Sequence, residues 1–129
     1  MIVLDTHAWI WWVDGSRKLS RSARRAIEEA DRVGICAISC WELGTLVARR
    51  RLALDREVGV WVDQALGQDR IEVLPVTPAT ALAAALLDRE RFPLDPADRL
   101  IYAAAVAENC RLVTKDRHLH ALDGERTLW

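Results

Sequence analysis

An α/β fold built on a mainly parallel sheet is predicted for this chain of 129 residues. Four short apolar runs, Ile2 to Leu4, Val33 to Ile38, Ile71 to Leu74 and Leu112 to Thr114, read as buried strands. Helix-length segments lie between them, several with a capping residue or a proline at the start. Strands alternating with helices or helical hairpins give the pattern of a parallel sheet with crossover connections.

Taken in order, the first strand ends at Asp5, and Ala8 to Val13 forms a short helix that is apolar nearly all round, with Asp14-Gly15 as its exit turn. Ser22 is placed to cap a helix through about Asp31, with Ala23, Ala26, Ile27 and Ala30 on its apolar face. After the second strand, Ser39 opens a helix carrying Trp41, Leu43, Leu46 and Val47. Asp55 caps the next, which carries Val58, Trp61, Val62, Ala65 and Leu66, and Gly67 suits the position just past its end. The third strand is followed by Thr77-Pro78, a cap with proline in the first turn, and a helix to about Arg89. Asp95-Pro96 starts an alanine-rich helix that ends near Asn109. Leu112 to Thr114 is the fourth strand, His118-Leu119-His120 reads as a surface turn, and Arg126 to Leu128 as a short fifth strand. No repeat, low-complexity tract or linker interrupts this order, so one domain over residues 1–129 is expected.

Composition narrows the function classes. Half of the chain is apolar, which argues against disorder, and the formal net charge of −1 provides no global basic field. Charge is patchy: Arg17, Lys18, Arg21, Arg24 and Arg25 form one basic segment and Arg49, Arg50 and Arg51 another. Such segments either hold phosphates or are solvated helix faces. Cys36, Cys40 and Cys110 lack metal-ligand spacing and read as ordinary thiols in a reducing compartment. With no basic run before the first apolar stretch and no apolar run near ~20 residues, a soluble cytoplasmic protein with no membrane partner is expected.

Four acids fall where elements begin or end: Asp5 after the first strand, Glu42 one turn past the second, Asp98 in the first turn of a helix and Asp116 after the fourth strand. In open parallel sheets, ligands bind beyond the carboxyl ends of the strands. Two carboxylates ~4 Å apart repel by about 4 kcal/mol at an effective dielectric near 20, so a cluster of them holds protons or recruits a cation. A donor set of hard oxygens suits Mg²⁺ or Mn²⁺. Each acid also has a structural explanation. Ser39 and Glu42 have the spacing of a capping box. Asp95 and Asp98 fit the cap and third helical position of their helix, and Asp5 and Asp116 are acceptable turn residues. Trp9, Trp11 and Trp12 either stack on bases or fill a core or subunit interface. His7, beside Asp5, assists a site or is packed or solvent-facing.

Read together, MIVLDTH, AISCWELGTLVARRRLAL, DPADRLIYAAA and LVTKD resemble the PIN-domain proteins and, more closely, the VapC-type toxins of bacterial toxin–antitoxin pairs. The resemblance runs almost end to end, with four acidic motifs in order. It implies a PIN-like three-layer α/β/α sandwich, a carboxylate site for Mg²⁺ or Mn²⁺ and endoribonuclease activity. It also implies a homodimer and inhibition by a cognate VapB-type antitoxin. Carried onto this chain, the site acids are Asp5, Glu42, Asp98 and Asp116, both catalytic and metal-holding. Thr6 and Thr114 match supporting hydroxyls, Asp95 an additional acid, and Arg99 an arginine expected to brace the acids. Thr114 is expected to orient Asp116 or a water. Candidate antitoxin surfaces are the Trp-rich first helix and the helices bearing Trp41 and Trp61. The rival within the fold is a catalytically inactive module that binds RNA or an antitoxin. A response-regulator receiver is disfavoured, because the two candidate central strands end in Ser39 and Pro75 and not in a phospho-accepting aspartate.

Overall fold

The computed structural model describes residues 1–129. Its five strands are β1 (Ile2–Leu4), β2 (Val33–Cys36), β3 (Ile71–Leu74), β4 (Arg111–Val113) and β5 (Thr127–Leu128). They form one sheet in the order β3-β2-β1-β4-β5, parallel at every pairing. The helices are α1 (Thr6–Val13), α2 (Arg21–Glu29), α3 (Ala37–Ala48), α4 (Val58–Leu66), α5 (Pro78–Leu86), α6 (Pro96–Ala107) and α7 (Arg117–Leu122).

The period-2 alternation of the strands divides the core into two. Ile2 and Leu4 of β1 face one side, with Trp9, Ile27, Val33, Ile35, Leu43 and Trp61, beneath α1 to α4. Val3 faces the other, with Leu74, Ile101, Tyr102, Ala105 and Leu112, beneath α6 and α7. The result is the expected α/β/α sandwich. Trp9 is fully buried and meets Trp61 edge-on at 5.3 Å between ring centroids. Trp61 therefore belongs to the core and not to a partner surface, whereas Trp41 on α3 is 63% exposed. All three cysteines are free. No helix is long and apolar enough to cross a membrane.

Several helix starts differ from expectation. The cap of α2 is Ser20 and not Ser22, its hydroxyl accepting from the Ala23 N–H at 3.0 Å. The cap of α4 is Glu57 and not Asp55, which is paired with Arg56. Gly67 closes α4 at φ −78°, so its special conformational freedom is unused there. Thr77 caps α5 in a reciprocal box with Thr80, and Asp95 caps α6, as the sequence predicts. The turn expected at His118-Leu119-His120 is the helix α7, capped by Asp116.

The largest shift is at the end of β2. The strand stops at Cys36 and passes into α3 with no loop and no side-chain cap. Ser39 thus lies inside the helix, fully buried, and the expected Ser39–Glu42 capping box does not form. A strand that feeds a helix directly leaves no room for a capping turn before Ser39.

Candidate carboxylate centre

In a parallel sheet every strand ends at the same edge, and the helices that return between strands begin there. Asp5 follows β1, and Asp116 lies three residues beyond the end of β4, its neighbour in the sheet. Glu42 lies in the second turn of α3, which leaves the end of β2. The helix α6 runs back to the start of β4, so its first turn, with Asp95 and Asp98, sits at the carboxyl edge. The chain runs from β1 to β2 and β3 on one side, and the connection from β3 to β4 crosses back to the other side of β1, so the switch point at which open α/β sheets bind ligands lies between β1 and β4.

Glu42, Asp95 and Asp98 form the tightest group, with one carboxylate oxygen from each within 4.8 Å of the others. Asp5 and Asp116 stand outside that trio, yet both add to the repulsion felt at Asp98. Burial comes first in raising the Asp98 carboxyl, followed by the charges of Asp95, Glu42, Asp5 and Asp116, and together they push it up to about 7. Burial also raises Asp5, against hydrogen bonds from the Thr114 hydroxyl and the Ala8 and Lys115 N–H groups. Glu42 is raised by burial, with Asp95 and Asp5 adding repulsion and the Thr6 hydroxyl and His7 opposing it. All five acids thus share one electrostatic field.

Local bonds fix each side chain. The Ala8 N–H donates to Asp5 at 2.7 Å, so Asp5 is the cap of α1 as well as one of the candidate acids. The buried Thr6 hydroxyl lies 2.5 Å from Glu42 Oε1 and 3.0 Å from Ser39 Oγ. Glu42 is therefore held by a side chain from another element. Asp95 accepts from the Asp98 N–H at 2.9 Å. Asp116 accepts from the His118 and Leu119 N–H groups, while its own N–H donates to Thr114 Oγ1 at 3.1 Å. Buried Thr114 thus links Asp116 to Asp5.

Arg99 does not brace the acids. Its buried guanidinium donates to the carbonyls of Ala84, Ala85, Leu87 and Phe92, at the end of α5 and in the segment after it. Arginine at helix position four points away from aspartate at position three by about 100°, so neighbours in sequence serve different faces. His7 is exposed, and its charge favours the ionised forms of Asp5 and Glu42. In sequence, Ser39 presents itself only as a cap. No sequence signal marks its place inside α3, because the apolar run from Val33 to Ile38 crosses the junction of strand and helix unbroken.

A family model described as "PIN domain" matches residues 2–125. The chain belongs to the PIN-domain family. Within the family, it is 40% identical over 130 residues to "Ribonuclease VapC22" of Mycobacterium tuberculosis (strain ATCC 25618 / H37Rv), across 99% of this chain and 98% of that protein. Among solved structures, a toxin-antitoxin complex from Klebsiella pneumoniae matches with a TM-score of 0.72 and 18% identity, covering 100% of this chain and 97% of that one. VapBC2 from Rickettsia felis, bound to a DNA fragment from its promoter, matches at 0.68 and 19% identity, covering 99% and 98%. At such identities these structures support the PIN fold alone.

Proposed function

We propose that this PIN domain, acting as one unit over residues 1–129, is a Mg²⁺- or Mn²⁺-dependent endoribonuclease and the toxin of a toxin–antitoxin pair. The carrying observation is the convergence of Asp5, Glu42, Asp95, Asp98 and Asp116 on one sheet edge. The relative named as a ribonuclease, matched over nearly the whole chain, supports the choice of RNA.

The donor set fits a hard divalent cation. It consists of carboxylate oxygens only, three of them close enough to share one ion, in a field that already favours added positive charge. Glu42, Asp95 and Asp98 are the proposed direct holders, with Asp5 and Asp116 completing the site. A bound Mg²⁺ or Mn²⁺ would supply activation of water and neutralisation of charge on the phosphodiester. The chain's own residues position the acids. Thr6 holds Glu42, Thr114 ties Asp5 to the Asp116 backbone, and the Asp95 cap fixes the first turn that carries Asp98.

A VapB-type antitoxin and a second copy of this chain are the proposed partners, and the cytoplasm the proposed location. Exposed Trp41 on α3 and Leu82 and Leu86 on α5 provide apolar surface for such contacts. Purified protein is expected to cleave single-stranded RNA with Mn²⁺ or Mg²⁺ and not with a chelator in excess. Asp98→Asn should abolish cleavage while the protein stays folded. Metal-dependent RNA binding without any cleavage would replace this reading with that of an inactive binding module.

A further inference from the structure

Beside the acids the surface changes sign around one ring. Trp11 on α1 is partly buried, meeting Trp129 edge-on at 5.7 Å and the His7 ring at 5.6 Å between centroids. Lys18 Nζ lies 5.9 Å from the Trp11 ring centroid and Lys115 Nζ 5.8 Å. The lysines arrive from separate parts of the chain. Lys18 lies in the segment between α1 and α2, and Lys115 immediately precedes Asp116. Both are exposed, as is His7, and neither lysine is in an ion pair. Beyond Lys18 the positive surface continues, where Arg17, Arg21 and Arg24 line a cavity of about 520 Å³.

We propose that Trp11, Lys18 and Lys115 form a single-stranded RNA subsite flanking the carboxylate centre, the lysines holding phosphates and the indole contacting a base. The choice of RNA rests on the ribonuclease reading above. A centre of five carboxylates repels a polyanion, so affinity must come from beside it. Unpaired ammonium groups attract phosphates, and an aromatic ring provides a stacking face that tolerates any base. The ring also draws two cations from different segments into one place, and as the ends of flexible, exposed side chains they swing onto phosphates and leave the ring face to a base. Single strands suit this surface, because a base inside a duplex has no free face to present. Lys115 adjoins Asp116 and His7 lies two residues past Asp5, so a strand held here runs past the acids.

The test compares wild type, Lys18→Gln/Lys115→Gln and Trp11→Leu, each checked for folding by circular dichroism. Binding of a short fluorescein-labelled single-stranded RNA is read by anisotropy in EDTA, so that no turnover intervenes. The double lysine variant should bind about tenfold more weakly at low salt. Its plot of log affinity against log salt should be shallower by about 1.4, corresponding to about 0.7 for each lost phosphate contact. Trp11→Leu should bind about fivefold more weakly or worse and lose RNA-induced quenching of tryptophan fluorescence. Because the lysines are exposed, the double variant keeps the test valid if Trp11→Leu does not fold. Wild-type affinity and salt slope in the double variant would overturn the subsite. So would loss of antitoxin co-purification with RNA binding intact, which would make the patch a protein-docking surface. Cleavage with Mn²⁺ is measured in parallel. Cleavage by wild type with unchanged binding in the variants sinks the subsite alone. Lysine-dependent binding without wild-type cleavage sinks the ribonuclease reading alone.

Discussion

Asp98 experiences four other carboxylates in addition to its own burial, and its proton stays on to about pH 7. Its ordinary value is 3.8, so the folded state binds this proton more tightly than the unfolded chain does. Well below pH 3.8, Asp98 is neutral in both states and costs nothing. Between about pH 4 and 7 the unfolded chain ionises freely and the folded one resists, so cation-free protein loses stability as pH rises through that window. After allowance for screening at a partly exposed group, the loss is on the order of 2 kcal/mol. Thermal denaturation in a chelator should show Asp98→Asn melting above wild type beyond pH 7 and level with it near pH 3. A cation bound as proposed would displace the same proton, so calorimetry near pH 7 in buffers of different ionisation enthalpy should detect proton release in wild type and less in that variant. Glu42→Gln asks a separate question. The amide oxygen still accepts the Thr6 hydroxyl but the charge is gone. Stability should stay within about 1 kcal/mol of wild type, while Mn²⁺-dependent cleavage falls about tenfold or more. Normal cleavage by that variant would remove Glu42 from the centre.

At the scale of elements, the first turn of α6 is where structure and chemistry coincide. Asp95 caps it, Asp98 projects from it, and Arg99 ties it to the carbonyls that end α5. Those carbonyls are among the last of α5 and have no partners within the helix, so a planar guanidinium with five donors satisfies several at once. Arg99→Lys cannot reproduce the fork. Its melting temperature should drop by the equivalent of about 2 kcal/mol, and its stabilisation by added Mn²⁺ should weaken because the Asp95–Asp98 turn is less firmly held. Differential scanning fluorimetry with and without Mn²⁺ measures both. A variant that melts lower but gains the full Mn²⁺ increment would confine Arg99 to stability. This element was largely legible in sequence, since Asp-Pro is a strong start signal. The contacts of Arg99 were not, because they reach residues 7 to 15 positions away. The end of β2 is illegible in sequence for a related reason. The apolar run Val33 to Ile38 continues from strand into helix, and a buried helical turn has the same composition as a buried strand. His118 to His120 reads as a turn because a helix of six residues is too short to show its periodicity, and the cap at Asp116 emerges only in the structure.

At the scale of the whole molecule, the sheet must bring β1, β2 and β4 into one register before the acids can meet. Gly34 lies opposite Val3 in the middle of that register, and an added Cβ there would sit 3.0 Å from Leu74 Cδ1 and 3.3 Å from both Met1 Sδ and Val3 Cγ2. Gly34→Ala should therefore destabilise the fold by about 1–3 kcal/mol. Urea denaturation measures this, and unchanged stability would mean the flexible ends of Leu74 and Met1 absorb the methyl group. The sequence by itself determined the α/β class, because strand-length apolar runs alternate with capped helices. It also singled out Asp5, Glu42, Asp98 and Asp116, because acids at element ends stand apart from the apolar pattern. Tertiary structure decided which acids are closest. Glu42, Asp95 and Asp98 form the tight trio, and Asp5 and Asp116 are also caps. Local propensity marks where an element starts, but strand order and the return direction of α6 set the distances between starts. Those depend on contacts between residues far apart in the chain, which no local pattern encodes.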